Sequence, residues 1–392
     1  MFSKRTTWNL TGNAWAGLAA RKRAAGATLL DLTESNPTRC GFDYRGAGLD
    51  ALADPAAVHY RPAARGAPEA RAAVAAYYAT HGLAVDPESV ILTASTSEGY
   101  SYLFKLLADP GDEVLAPLPS YPLFEYLAQL DGVYLAPYPL RYDGAWFIDF
   151  PALEAALTPR TRAVIVVHPN NPTGAFLKQD ELARLTAICR AHDLALICDE
   201  VFLDYAYGPD PARAPSLVAG TDVLTCTLSG LSKLAGLPQA KLSWIVLTGP
   251  LALQAAALAR AEVIADTYLS VSTPVQLALP ALLGHGAALR AQIQERITAN
   301  RRTLDAALAG DLPLRALPAE GGWYATVQVP AILTEEAWAL TLLTEDDLLV
   351  HPGYFFDFPF GCVLVLSLLP PPDVFAAGVA RLVRRVETVA AG

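Results

Sequence analysis

Short, nearly all-apolar runs punctuate the chain at 90–93, 113–116, 163–167, 194–198 and 223–228, and each reads as a buried strand that stops at a polar turn. Helical patterns occupy 13–25, 68–80, 98–108 and 179–192. The first is Ala-rich and closes on Arg21, Lys22 and Arg23 before Gly26, placing cations at the negative end of a helix. The second opens on Pro68 and stops at Gly82, the asymmetry of a helix with a left-handed cap. Because the helix at 179–192 lies between the strands at 163–167 and 194–198, the alternation predicts a parallel sheet covered by helices on both faces. Beyond residue 273 the pattern is mostly helical to 308, and a strand follows at 363–368.

Ligands of parallel α/β sheets sit at the carboxyl ends of strands. Three of these ends carry chemistry in order: Asn170-Asn171-Pro172-Thr173-Gly174 after 163–167, Asp199-Glu200 after 194–198, and Ser229-Gly230-Leu231-Ser232-Lys233 after 223–228. A lysine held at a strand exit and facing the interior is partly desolvated. That favours the neutral amine, a nucleophile toward carbonyls; the plainer use of a Ser-Lys pair is a solvated turn. Upstream, Ala94-Ser95-Thr96-Ser97 opens the helix at 98–108, where free N–H groups and hydroxyls gather at a positive helix end and form an anion site. A simple serine N-cap would use only one of those hydroxyls.

Taken together, the Asn-Pro-Thr-Gly, Asp-Glu and Ser-Lys elements resemble the class I/II aminotransferases, fold-type I enzymes that depend on pyridoxal 5'-phosphate, and the resemblance runs from about residue 30 to 369. It implies an α/β fold: a large domain with a mostly parallel, seven-stranded-type sheet covered by helices, and a small α+β domain built from the chain ends. The boundaries expected are 1–45 for the N-terminal arm and part of the small domain, 46–275 for the large domain and 276–392 for the C-terminal small domain. It also implies that Lys233 carries the cofactor as a Schiff base and that Asp199 keeps the pyridine nitrogen protonated, so that the ring serves as an electron sink. Asn171 would bond the ring 3-oxygen, Tyr121 would stack on the ring, and Ser95, Thr96, Ser97, Ser232 and Lys241 would line the cofactor and its phosphate. Tyr60, in His59-Tyr60-Arg61-Pro62, resembles the tyrosine that reaches the phosphate of a neighbouring subunit, which implies a homodimer; a half-buried aromatic before a helix is the alternative. Asn36 and Arg39 lie in a segment that folds over the substrate in the family.

Four positions depart from the family. Phe202 replaces a tyrosine that bonds the 3-oxygen, a role open to Tyr205 or Tyr207. Gly230 replaces a phosphate-binding serine. Lys241 replaces a phosphate-binding arginine, which keeps the charge and loses the planar fork. Val365 replaces the arginine that grips the substrate carboxylate, so either another arginine takes over, Arg39 or Arg65, or the substrate is not an ordinary α-amino acid.

At 392 residues the chain exceeds one ordinary core and can enclose a cofactor. A formal charge of -10 argues against nucleic acid or an anionic membrane as partner. Five scattered cysteines without Cys-x-x-Cys spacing read as reduced core thiols of a cytoplasmic protein, and the six histidines show no metal-ligand clustering. The N-terminus lacks the apolar core of a signal peptide, and the uncharged runs at 242–259 and 267–289 are broken by Gly or Pro.

The function expected is transfer of an amino group between an amino donor and a 2-oxo acid. The departures keep a second reading open, a β-eliminating carbon–sulfur lyase or a decarboxylase on the same fold. A third, a cofactor-binding regulatory domain fused to a DNA-binding domain, finds no room ahead of the arm helix.

Overall fold

The computed structural model describes residues 1–391. Its centre is an eight-stranded sheet, in spatial order Val90–Thr93, Ser243–Thr248, Thr225–Gly230, Ala195–Asp199, Thr161–Val167, Glu113–Leu118, Tyr134–Tyr142 and Trp146–Ile148. Thr225–Gly230 through Tyr134–Tyr142 run parallel to one another, whereas Ser243–Thr248 and the short edge strand Trp146–Ile148 are antiparallel to their neighbours. The edge strand, one more than the seven expected, is three residues long and returns from Tyr134–Tyr142 as a hairpin. Strands buried along their whole length, such as Ala195–Asp199 and Thr225–Gly230, need cover on both faces. Tyr100, Leu103 and Phe104 of helix Thr96–Leu107 supply it on one side with Ala257, Ala261 and Ala265 of helix Leu251–Tyr268, and Leu185 and Cys189 of helix Gln179–Ala191 supply it on the other.

A second, antiparallel sheet has the order Arg315–Ala316, Tyr324–Gln328, Val363–Ser367 and His351–Pro352, with helices Glu335–Asp346 and Pro372–Ala391 packed nearby. A two-residue strand near the N-terminus, Leu30–Asp31, pairs in parallel with Leu348–Leu349. Leu32 continues the contact by accepting a hydrogen bond from the Ser367 amide at 2.7 Å. The arm helix is Ala14–Ala24, capped by the Asn13 side chain on the Ala16 amide. One 35-residue helix, Thr273–Ala307, spans the expected boundary at 275–276 and carries Pro280 in its interior.

The uncharged runs resolve into the strand Ser243–Thr248, the helix Leu251–Tyr268 and the buried first turns of Thr273–Ala307. No described helix is long and apolar enough to cross a membrane.

Candidate active site

The strands Thr161–Val167, Ala195–Asp199 and Thr225–Gly230 are immediate neighbours, and their pairing brings Val167 beside Asp199 and Asp199 beside Leu228. Asn171, Asp199 and Lys233 therefore project from adjacent carboxyl ends, the arrangement that the order of motifs predicted.

Asp199 is buried at the last position of its strand. Its Oδ1 accepts the Val201 amide at 3.1 Å and its Oδ2 accepts the Tyr100 hydroxyl at 3.1 Å. Burial outweighs these bonds and pushes the carboxyl up to about 6. Lys233 sits on the helical turn Leu231–Leu234 that follows Gly230. Desolvation pulls its amine down to about 8, against a smaller opposing pull from the Asp199 charge. Its Nζ lies 5.7 Å from the centre of the Phe202 ring and 5.0 Å from that of Trp323. Two aromatic rings thus flank the amine, which has no carboxylate partner.

The two asparagines of the polar turn do different work. Asn170 is structural: its Nδ2 donates to Pro119 O at 3.2 Å, and its Oδ1 accepts both the amide and the hydroxyl of Thr173. Asn171 Oδ1 is buried without a partner among the described residues. A buried amide oxygen left unpaired costs about 1–3 kcal/mol, so this end of Asn171 is built for a ligand.

At the helix Thr96–Leu107, Ser95 is the N-cap, and its hydroxyl accepts the Glu98 amide at 3.1 Å. The capping role thus takes Ser95, while the hydroxyls of Thr96 and Ser97 bond to no described residue and their amides are free by helix geometry. Ser232 is half-buried beside Lys233, and Lys241 is exposed, in a left-handed conformation (φ 52°). Tyr121 packs edge-on against Phe124 at 5.7 Å and lies near Asp199 and Tyr324, its phenol pushed up by burial.

Other expected residues stand apart from this cluster in the single chain. Tyr60 is 72% exposed. Asn36 caps a turn of 3-10 helix through bonds to the Thr38 amide and hydroxyl. Arg39, its side chain 72% exposed, pairs with Glu34 at 3.2 Å. Arg65 is held by Glu88 at 2.8 Å and Glu262 at 3.3 Å. Neither Tyr205 nor Tyr207 offers a free phenol in place of Phe202, because their hydroxyls donate to Lys233 O and Gly322 O. Val365 is fully buried between Thr326 and His351 in the small sheet and packs with Phe356.

Sequence reasoning missed Tyr100 and assigned Trp323 only to the small domain. Tyr100 carried a readable signal, a hydroxyl-bearing aromatic one turn after the Ser95 cap and on the side of the helix that meets the sheet. Trp323 gave none, because its place over Lys233 depends on the packing of the second sheet.

A parallel sheet whose carboxyl ends gather a half-buried lysine, a buried carboxylate, an unpaired amide and an open helix N-terminus defines a cofactor enzyme of the pyridoxal-phosphate class. The family described as aminotransferase class I and II matches residues 43–363, and the chain belongs to it. It is a pyridoxal-phosphate-dependent aminotransferase of fold-type I. Glutamate-pyruvate aminotransferase AlaA of Escherichia coli K12 is 28% identical over 383 residues, covering 93% of this chain and 92% of its own. Alanine aminotransferase of Mycobacterium tuberculosis H37Rv is 30% identical over 378 residues, covering 93% and 87%. An aminotransferase structure from Escherichia coli superposes with a TM-score of 0.86 at 25% identity, covering 99% of this chain and 98% of that one. The lyase and decarboxylase reading finds no support among these relatives.

Proposed function

We propose that Lys233 and Asp199 are the catalytic residues of amino-group transfer, and that the observation carrying this reading is the Lys233 amine, lowered to about 8 between Phe202 and Trp323. Pyridoxal phosphate supplies a carbonyl for the amine and a ring that holds an electron pair when protonated at nitrogen. Lys233, neutral above about pH 8, would supply the nucleophilic amine that holds the cofactor and, once freed by the substrate, would act as the base that takes the proton from the substrate's α-carbon and hands it on during the amino-group transfer. Asp199, ionised above about pH 6 and fixed by Tyr100 and Val201, holds a proton at the ring nitrogen. Asn171 and Tyr121 orient the ring; Thr96, Ser97, Ser232 and Lys241, with Ser95 as the cap that aligns the helix, hold the phosphate.

Arg39 and Asn36 take the substrate side in this reading. Ser35 lies against the Tyr324 phenol, and Tyr324 neighbours Tyr121, so the segment carrying Arg39 borders the site. A substrate carboxylate reaches Arg39 by displacing Glu34.

The proposed assembly is a homodimer with Tyr60 serving the partner's phosphate site. Exposed Val58 and Tyr60 shortly precede Arg65, which pairs with Glu262 of helix Leu251–Tyr268, and that helix also exposes Val263 and Tyr268. Apolar side chains collected there favour association. The proposed division into an arm to residue 45, a large domain to 275 and a small domain beyond has support in the two separate sheets. A cytoplasmic setting agrees with five cysteines that are all free and buried.

The test is the absorbance spectrum of the purified protein with a panel of amino donors, followed by product analysis with pyruvate as first acceptor. Bleaching of the cofactor band with release of a 2-oxo acid is the expected result. Ammonia or carbon dioxide as stoichiometric product would replace this reading with elimination or decarboxylation.

A further inference from the structure

Three residues lie in one row across the sheet where the anion-binding helix and the lysine turn begin. Ser243 pairs with Thr93 on one side and with Gly230 on the other. Thr93 leads into the Ser95-Thr96-Ser97 helix start, and Gly230 leads into the turn that carries Lys233. Ser243 therefore sits between the two elements that flank the phosphate in the reading above.

The hydroxyls in this row are differently committed. Thr93 Oγ1 donates to Ser95 O at 3.0 Å. Gly230 has no side chain, and a Cβ built there would lie 2.2 Å from Ser243 Oγ. The Gly230 backbone is extended (φ 175°), so any residue could adopt its conformation, and glycine is required by space alone. What fills that space is the Ser243 hydroxyl. Ser243 is only 2% exposed, and its Oγ bonds to no described residue. A hydroxyl on a nearly enclosed residue that is committed to no neighbour is free to meet a ligand, and this one stands between the strand that leads into the helix start and the strand that leads into the lysine turn.

We propose that Ser243 Oγ is the hydroxyl that binds the cofactor phosphate, moved across the strand pair from position 230, so that Gly230 is one half of an exchange rather than a lost contact. The proposal rests on the assignment of Lys233 and the helix start as the cofactor site. It predicts that hydroxyls at 230 and 243 exclude one another sterically and replace one another functionally.

The test compares the affinity of the cofactor-free, dialysed protein for pyridoxal 5'-phosphate and for pyridoxal, which lacks the phosphate, by equilibrium dialysis. Ser243→Ala is expected to weaken pyridoxal phosphate about tenfold, about 1.4 kcal/mol, and to leave pyridoxal unchanged. Gly230→Ser alone, which forces two side chains into one volume, is expected to weaken it as well. The double variant Gly230→Ser with Ser243→Gly, which returns the hydroxyl to the lysine strand, is expected to bind within about threefold of the parent. Unchanged affinity in Ser243→Ala, or equal loss for pyridoxal, would overturn the assignment of Ser243 while leaving the cofactor site in place. A borohydride-fixed adduct on a lysine other than Lys233 would overturn the site and this proposal with it.

Discussion

Tyr100 donates its phenolic proton to Asp199 Oδ2 across 3.1 Å, from a helix whose first residues form the anion site to the carboxylate proposed to meet the ring nitrogen. In the proposed site one helix therefore serves both ends of the cofactor. A bond donated to the charged carboxylate lowers its pKa, so Tyr100 opposes the burial that lifts Asp199 to about 6. Tyr100→Phe should move the acid-side midpoint of pyridoxal phosphate binding upward by roughly half a unit or more. An unmoved midpoint in a titration followed by absorbance would show that Tyr100 only fills space.

Lys233→Met should remove the borohydride-fixable adduct and stabilise the cofactor-free protein. The sign follows from a folded value near 8 against 10.5 for a free lysine: the unfolded chain binds the proton more tightly, so the lysine lowers stability fully below pH 8, and that penalty fades to nothing by about pH 10.5. A lowering from 10.5 to about 8 corresponds to a few kcal/mol at most, at about 1.4 kcal/mol per unit. The Tm gain should be larger at pH 7 than at pH 10, and calorimetry at the two values checks it.

Arg39→Ala should reduce kcat/KM for carboxylate-bearing donors at least tenfold, roughly 1.4 kcal/mol, and leave the cofactor spectrum unchanged. Equal activity in parent and variant, or equal loss with simple amines, would remove Arg39 from the substrate side. Glu34→Gln should act the other way, since it frees the guanidinium from the ion pair it makes at 3.2 Å.

Gly174→Ala should destabilise the protein by about 1–3 kcal/mol. Gly174 is left-handed (φ 70°), and an added Cβ would lie 2.4 Å from Gly321 O. Because Gly174 O also accepts the Glu320 amide at 3.0 Å, the Asn171 turn and the Trp323 loop are tied at this point. Separation of the two should raise the solvent exposure of Lys233, read as faster reaction with an amine-labelling reagent.

The parallel strands and their terminal residues were legible because a fully buried strand must be apolar and must stop where polar chemistry starts; that rule brought Asn171, Asp199 and Lys233 forward, and the resemblance to the class I/II aminotransferases gave them their roles. Helix limits were legible to within two residues, with 68–80 observed as Pro68–Thr80 and 179–192 as Gln179–Ala191. The lysine strand was expected at 223–228 and runs Thr225–Gly230, since Gly230 still pairs with Ser243 before the turn begins. Register across strands is what sequence order conceals. Ser243 reads as one polar residue in an apolar run, and its meaning emerges only when Gly230 lies opposite. The hairpin strand Trp146–Ile148 was missed for a related reason, its three residues being too few to show a period.

The pairing of Leu30–Asp31 with Leu348–Leu349 has a consequence for synthesis. A ribosome adds roughly 5–20 residues per second, so the early strand waits on the order of 15–60 s for its partner to be made. Through that interval Leu32, completely buried in the finished protein, has neither helix Pro372–Ala391, whose Gly378 lies against it, nor the Ser367 amide to cover it. The central sheet can close first, since its last strand, Ser243–Thr248, emerges about a hundred residues earlier than Leu348. The nascent chain thus holds a nearly complete cofactor cradle whose Trp323 wall and N-terminal strand are still unplaced, and chaperone contact or premature ligand capture at that stage would fall on this half-built form.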